Sequence, residues 1–151
     1  MHIGLYLKMV RDSERQLAEA FVTVAKHHQQ EPDMEELCRL LACWSRVKAQ
    51  SAERFIHKYG EERDREPARL YSNLFQGPRR GGLALLRDLH DLWLLGTEVD
   101  ICWTLLRQAA QALRDRDFVE TCEHNQYQTH RQLSWLETRS KQAAPQSLIA
   151  A

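Results

Sequence analysis

Several things are scarce or missing in this sequence, and each absence narrows what the chain can be. Glycine and proline number only 6 and 4 among 151 residues, so long stretches run without either, and no strand signal, repeat or low-complexity segment appears. Charge of one sign is not in excess: 21 Lys and Arg balance 21 Asp and Glu. A nucleic-acid binder needs surplus cations to displace counterions, so nucleic acid is not expected as a partner. No stretch approaches the roughly 20 apolar residues of a membrane span, and the most apolar run, Leu89 to Trp103, is broken by His90, Asp91, Glu98 and Asp100. The N-terminus lacks a basic region followed by a long apolar one, because Lys8, Arg11 and Asp12 interrupt it early. No signal peptide, no membrane association and a cytoplasmic location are therefore expected.

Chemistry-bearing motifs are missing too. The four cysteines, Cys38, Cys43, Cys102 and Cys122, form no CxxC pair. All fall in segments of helical pattern, where buried reduced thiols are expected rather than a zinc site or a disulfide framework. Gly81-Gly82, after Pro78-Arg79-Arg80, lacks the spacing and the Lys-Ser/Thr of a P-loop. No Ser, His and Asp set recommends a nucleophile. His27 and His28 are read as the polar end of a helix, where imidazolium suits the negative end of the dipole. His90 is read as a surface residue.

What is present is helical periodicity. Hydrophobic residues make up 43% of the chain, and a fold of this length buries roughly 70% of the surface its chain would expose. A single domain over residues 1–143 is expected, with a tail at 144–151. A first helix is predicted over Ile3 to His28, with Leu7, Val10, Glu14, Leu17, Phe21 and Val24 on one face. Pro32 ends that segment. A second helix starts near Asp33, with Glu36 as capping-box partner, and closes at Gly60 in a left-handed turn. Its inward face reads Met34, Leu37, Leu41, Trp44, Lys48, Ser51 and Phe55. A third helix spans Leu83 to Arg114 with apolar residues around so much of its circumference that it is either central or packed on a second subunit. A fourth, capped by Asp117, runs to Ala143 with an inward seam of Val119, Cys122, Gln126, Thr129, Leu133 and Leu136. Between the second and third helices lies a connection of about 20 residues, with a short helix expected near Ala68 to Phe75.

Connection lengths decide topology. Short links make the first and second helices, and the third and fourth, antiparallel hairpins. A bundle of about 30-residue helices is roughly 45 Å long, and about 20 extended residues reach ~65 Å. The long link can therefore cross the bundle, leaving the second and third helices parallel. With that order the chain, from Ile3 to Ala143, resembles the ferritin-like superfamily: an all-α, up-down-down-up four-helix bundle with a long crossover.

The resemblance implies a di-iron site made of a mid-helix Glu from the first and third helices and a Glu-x-x-His pair from the second and fourth. Glu14 and Glu98 match the single carboxylates. The second helix departs from the pattern, since Lys48 stands at the mid-helix inward position. The fourth offers Glu123 and His130 but no Glu-x-x-His. Glu14, Glu98, Glu123 and His130 are thus the candidate metal residues of a divergent iron- or manganese-binding or oxidoreductase protein. The other reading is a cofactor-free polar cluster in which Lys48 pairs with Glu14, Glu98 or Glu123, helped by Gln126, Thr129 and His130. In a third arrangement Lys48 lies at the rim, its stem along apolar surface. The function favoured by the incomplete ligand set is a non-catalytic interaction or structural module, a homodimer through the third helix.

Overall fold

The computed structural model describes residues 1–60 and 74–150. Among them the chain forms four α-helices, α1 (Ile3–His27), α2 (Pro32–Tyr59), α3 (Ala84–Ala112) and α4 (Arg116–Pro145), and no strand. The expected short helix near Ala68 to Phe75 falls mostly outside the described residues, and Leu74 and Phe75 are irregular. No helix among the described residues is long and apolar enough to cross a membrane.

The first helix follows its sequence pattern closely: Leu7, Val10, Glu14, Leu17, Phe21 and Val24 are all buried. They meet Met34, Cys38, Leu41 and Phe55 of α2, Leu89, Leu92, Val99, Trp103 and Leu106 of α3, and Phe118, Cys122 and Leu136 of α4 in one core. Each large apolar side chain among them contributes about 1.5–3 kcal/mol on removal from water, before entropy is counted.

Contacts between helix ends give the mutual directions. The end of α1 meets the start of α3 through His28 and Asp88, and the start of α1 lies beside Leu105, Leu106 and Ala109 near the end of α3. Asp33 at the start of α2 bonds Arg139 near the end of α4, while Lys58 and Tyr59 at the other end reach Asp115. Hence α1 runs against α3 and α2 against α4. With α1 and α2 forming one hairpin and α3 and α4 the other, α2 and α3 point the same way.

The helix ends depart from expectation in instructive ways. The second helix begins at Pro32, not with an Asp33 capping box. Proline at the first position has no amide to leave unsatisfied, and Asp33 is drawn instead into an ion pair with Arg139 at 2.6 Å. Gly60 closes α2 with φ −86°, not in the left-handed region. Glycine suits it because a Cβ there would collide with the Ile56 carbonyl oxygen. The left-handed stop occurs instead after α3, at Arg114 (φ 55°). There Arg114 N–H bonds Gln111 O and Asp115 N–H bonds Ala110 O, the paired bonds of a Schellman motif. That turn makes Asp115, rather than Asp117, the cap of α4, accepting from the Phe118 N–H at 3.1 Å. At the other end, α4 includes Pro145 and continues as a π-helical segment, Gln146–Ala150, where a loose tail is expected.

The α3 helix is not central. Trp93, Leu94, Ile101 and Leu105 are exposed, as is Leu83 just ahead of it. The thiols of Cys38, Cys102 and Cys122 are buried, and burial pushes each up to about 12. Cys43 corrects the expectation for it: it is exposed, on the outer side of α2.

Hydrogen bonds from Lys58 and Tyr59 hold the Asp115 carboxyl at about 2, below its ordinary 3.8. A depressed carboxyl stabilises the fold above its unfolded value and loses that contribution as pH falls through the folded one. Asp115→Asn keeps the capping oxygen and removes the charge. It should lower stability at neutral pH by about 0.5 kcal/mol, since Lys58 is largely exposed. It should also flatten the loss of stability between pH 4 and pH 2, as measured by urea unfolding across that range.

Candidate functional site

A polar cluster fills the middle of the apolar core, and all four helices contribute to it. Lys48 projects inward from α2 and is wholly buried, at 0% exposure. Its Nζ lies 3.0 Å from Glu14 Oε1 on α1, 2.8 Å from Thr129 Oγ1 and 2.6 Å from Gln132 Oε1 on α4. Trp103 of α3 donates its indole N–H to the same Glu14 oxygen at 2.9 Å.

The partners suit the ammonium form of Lys48. The Thr129 hydroxyl gives its proton to Asn125 O, so towards Lys48 it accepts. The Gln132 amide nitrogen donates to Leu41 O and Ser45 Oγ, which turns its carbonyl oxygen to Lys48. The Glu14 oxygen accepts the indole N–H and, as a carboxylate, accepts from Lys48 as well. With Glu14 ionised, the three acceptors match the three N–H groups of an ammonium, one more than a neutral amine has. Burial lowers the Lys48 pKa from its ordinary value, and Glu14 opposes that shift. An outer layer extends the network. Asn125 donates to Ser51 Oγ at 2.9 Å, and Ser51 donates to the Lys48 carbonyl at 2.6 Å. One group stays unpaired: Glu14 Oε2 is buried with no hydrogen-bond partner.

Of the candidate metal residues, the structure brings only Glu14 to the centre. Glu98 faces Cys102, whose thiol lies 3.8 Å from Glu98 Oε1. Glu123 is exposed and pairs with Arg107 at 2.7 Å. His130 is exposed and lies 2.9 Å from Asp100. Gln126 bonds Thr104 at the boundary of α3 and α4. A two-metal carboxylate centre needs ligands converging from all four helices. Here three of the four candidates are engaged elsewhere, and an ammonium stands against the fourth. The residues do not fit an iron or manganese pair.

Gln132 and Asn125 are members that the helical pattern did not single out, and Trp103, inward on the apolar seam of α3, enters as an indole donor rather than as packing alone. The buried face of α4 is Phe118, Cys122, Asn125, Thr129, Gln132 and Leu136. It is turned by one residue from a seam through Val119, Gln126 and Leu133. Leu133 packs at the boundary instead, so close to Gly96 that a Cβ there would lie 2.7 Å from it. An Asn and a Gln three or four residues from Thr129, opposite an inward lysine, were the available signal.

No protein-family model, curated protein or solved structure matches this chain.

Lys48→Met leaves the Glu14 carboxylate, the Thr129 hydroxyl oxygen and the Gln132 carbonyl without their partner. It should cost about 3–5 kcal/mol. In the double variant Glu14→Leu/Lys48→Met no unpaired charge remains, so the loss should fall short of the summed single losses by about 2 kcal/mol or more. Urea unfolding of the four proteins measures this coupling, and simple additivity would contradict the pairing.

Proposed function

We propose that this protein is a cytoplasmic, non-catalytic interaction or structural module. Its topology is the up-down-down-up order of ferritin-like bundles, with the connection after α2 crossing the bundle and the metal centre replaced by an ion pair. The common direction of α2 and α3 supports the topology. The cluster supports the non-catalytic reading, because the ammonium is fully satisfied and wholly buried, out of reach of any substrate.

The observation that carries the interaction reading is the outer face of α3. At 100° per residue, Leu83, Leu94, Ile101 and Leu105 lie within an arc of roughly 40°, and all are exposed. Trp93 flanks them. No Lys, Arg, Asp or Glu occurs from Leu92 to Thr97 or from Ile101 to Leu106. Arg87 and His90 interrupt the strip between Leu83 and Leu94, but from Leu94 to Leu105 it is charge-poor with an aromatic at its edge, the composition of an interface core. From its first residue, Ala84, to Leu105 the helix covers about 32 Å, long enough for an isologous pairing. A two-fold axis near Thr97 would set Leu94 against the second copy's Ile101.

Analytical ultracentrifugation should show a dimer at micromolar concentration. Ile101→Glu should give a monomer of unchanged helicity. Val47→Glu, on the exposed outer side of α2, should leave the dimer intact. Under oxidation Thr97→Cys should form an interchain disulfide, whereas the native Cys43 should not. A wild-type monomer, or a dimer that survives Ile101→Glu, would overturn the α3 pairing.

A further inference from the structure

Away from the central cluster, at the end of the bundle where α1 finishes and α3 starts, a second polar group is assembled. We propose that His27, His28 and Asp88 form a zinc-binding site with one position open to solvent. One ligand atom from each residue lies within 4.8 Å of the other two. His28 Nε2 is 2.7 Å from Asp88 Oδ2. The His27 ring meets the His28 ring edge-on, with centroids 4.9 Å apart.

The burial of these groups is graded in the way an open metal site requires. Asp88 is wholly buried, His28 is partly buried, and His27 is exposed. A buried carboxylate needs compensation beyond neutral donors. Asp88 Oδ1 takes the Arg79 backbone N–H at 2.7 Å, while Oδ2 faces the imidazole. A divalent cation between the imidazoles and Oδ2 would supply the missing charge. The site also receives the negative end of α1, whose last carbonyls favour a cation.

The donor set selects the ion. Two imidazoles and one carboxylate suit zinc and its borderline neighbours, not magnesium or calcium, which take oxygen ligands. Zinc bonds of about 2.0–2.2 Å set tetrahedral donors roughly 3.3 Å apart. The His28–Asp88 gap therefore opens by about half an ångström, and the exposed His27 ring turns inward. Beside the two histidines is a cleft of about 310 Å³, also lined by Lys26, Glu31 and Leu85. It gives water access to the fourth position. Lys26 is exposed, so its flexible stem can carry the ammonium into solvent. Glu31 is held by Arg139 at 3.1 Å.

A bound ion would tie the last turn of α1 to the first turns of α3. The chain entering α3 would be tied as well, because Arg79 bonds the same carboxylate through its backbone. Arg79 also reaches Asp91 through its side chain at 3.2 Å. Occupancy would thus brace the point where the long connection re-enters the bundle.

Titration of the full chain with Zn²⁺ against a chromophoric chelator should give one ion per chain. His27→Ala, at an exposed position that leaves the fold intact, should weaken binding by about tenfold or more. Zn²⁺ should raise the thermal midpoint of the wild type and not that of His27→Ala. Co²⁺ should give the visible bands of a tetrahedral nitrogen–oxygen site, and Cys43→Ser should leave them unchanged. Absence of binding at tens of micromolar Zn²⁺, affinity unmoved by His27→Ala, or a thiolate-to-cobalt charge-transfer band would each overturn the assignment.

Discussion

The ammonium of Lys48 has three protons, and the bundle supplies one acceptor for each: a carboxylate from α1, and a hydroxyl and an amide oxygen from α4. That arrangement constrains the rest of the structure. Taking a charge out of water costs several kcal/mol, so the pair adds little net stability over a well-packed apolar core. What it adds is register. Sliding α4 by one turn, 5.4 Å, would take Thr129 and Gln132 away from Nζ together and leave a buried charge half-satisfied. The constraint falls where packing is thinnest, since α2 and α4 pack less extensively than the other adjacent helices. Trp103 brings α3 into the same network through Glu14.

The two ends of the bundle carry further polar ties. At one end Asp115 caps α4 and receives Lys58 and Tyr59 from the end of α2. At the other, Asp88 gathers His28 and the chain entering α3, and Arg139 gathers Glu31 and Asp33. Each tie joins elements that are distant in sequence, so they act on tertiary arrangement more than on any one helix. The outer face of α3 is built differently. It exposes Leu94, Ile101 and Leu105 with few charges between them, and the proposed pairing rests on it.

Much of this was legible from residue order because local rules govern it. The seam of α1, including its buried Glu14, followed from helical spacing, as did the hairpin pairing of the helices, whereas for Lys48 the spacing allowed both an inward and a rim position and burial decides for the first. What was not legible depended on partners distant in sequence. Asn125 and Gln132 are polar, so the pattern turned α4 to bury Val119 and Leu133. The polar pair enters the core only because Ser51, Lys48, Leu41 and Ser45 satisfy it. Glu98, Glu123 and His130 sit at positions where a ligand set was expected, but near neighbours such as Cys102, Arg107 and Asp100 engage them. Asp117 looked like the cap of α4 until the left-handed Arg114 shifted the cap to Asp115. The joining of His28 to Asp88, 60 positions apart, has no local signature at all.

The central claim is that Lys48 is a buried, fully hydrogen-bonded ammonium held by Glu14. Nitrogen-15 NMR of the lysine side chains at neutral pH addresses it directly. Lys48 should give an ammonium resonance with protons in slow exchange with water, distinct from the exposed lysines and displaced in the Glu14→Gln variant. A Lys48 signal with the shift of a neutral amine, or one exchanging with water like the surface lysines, would contradict the account.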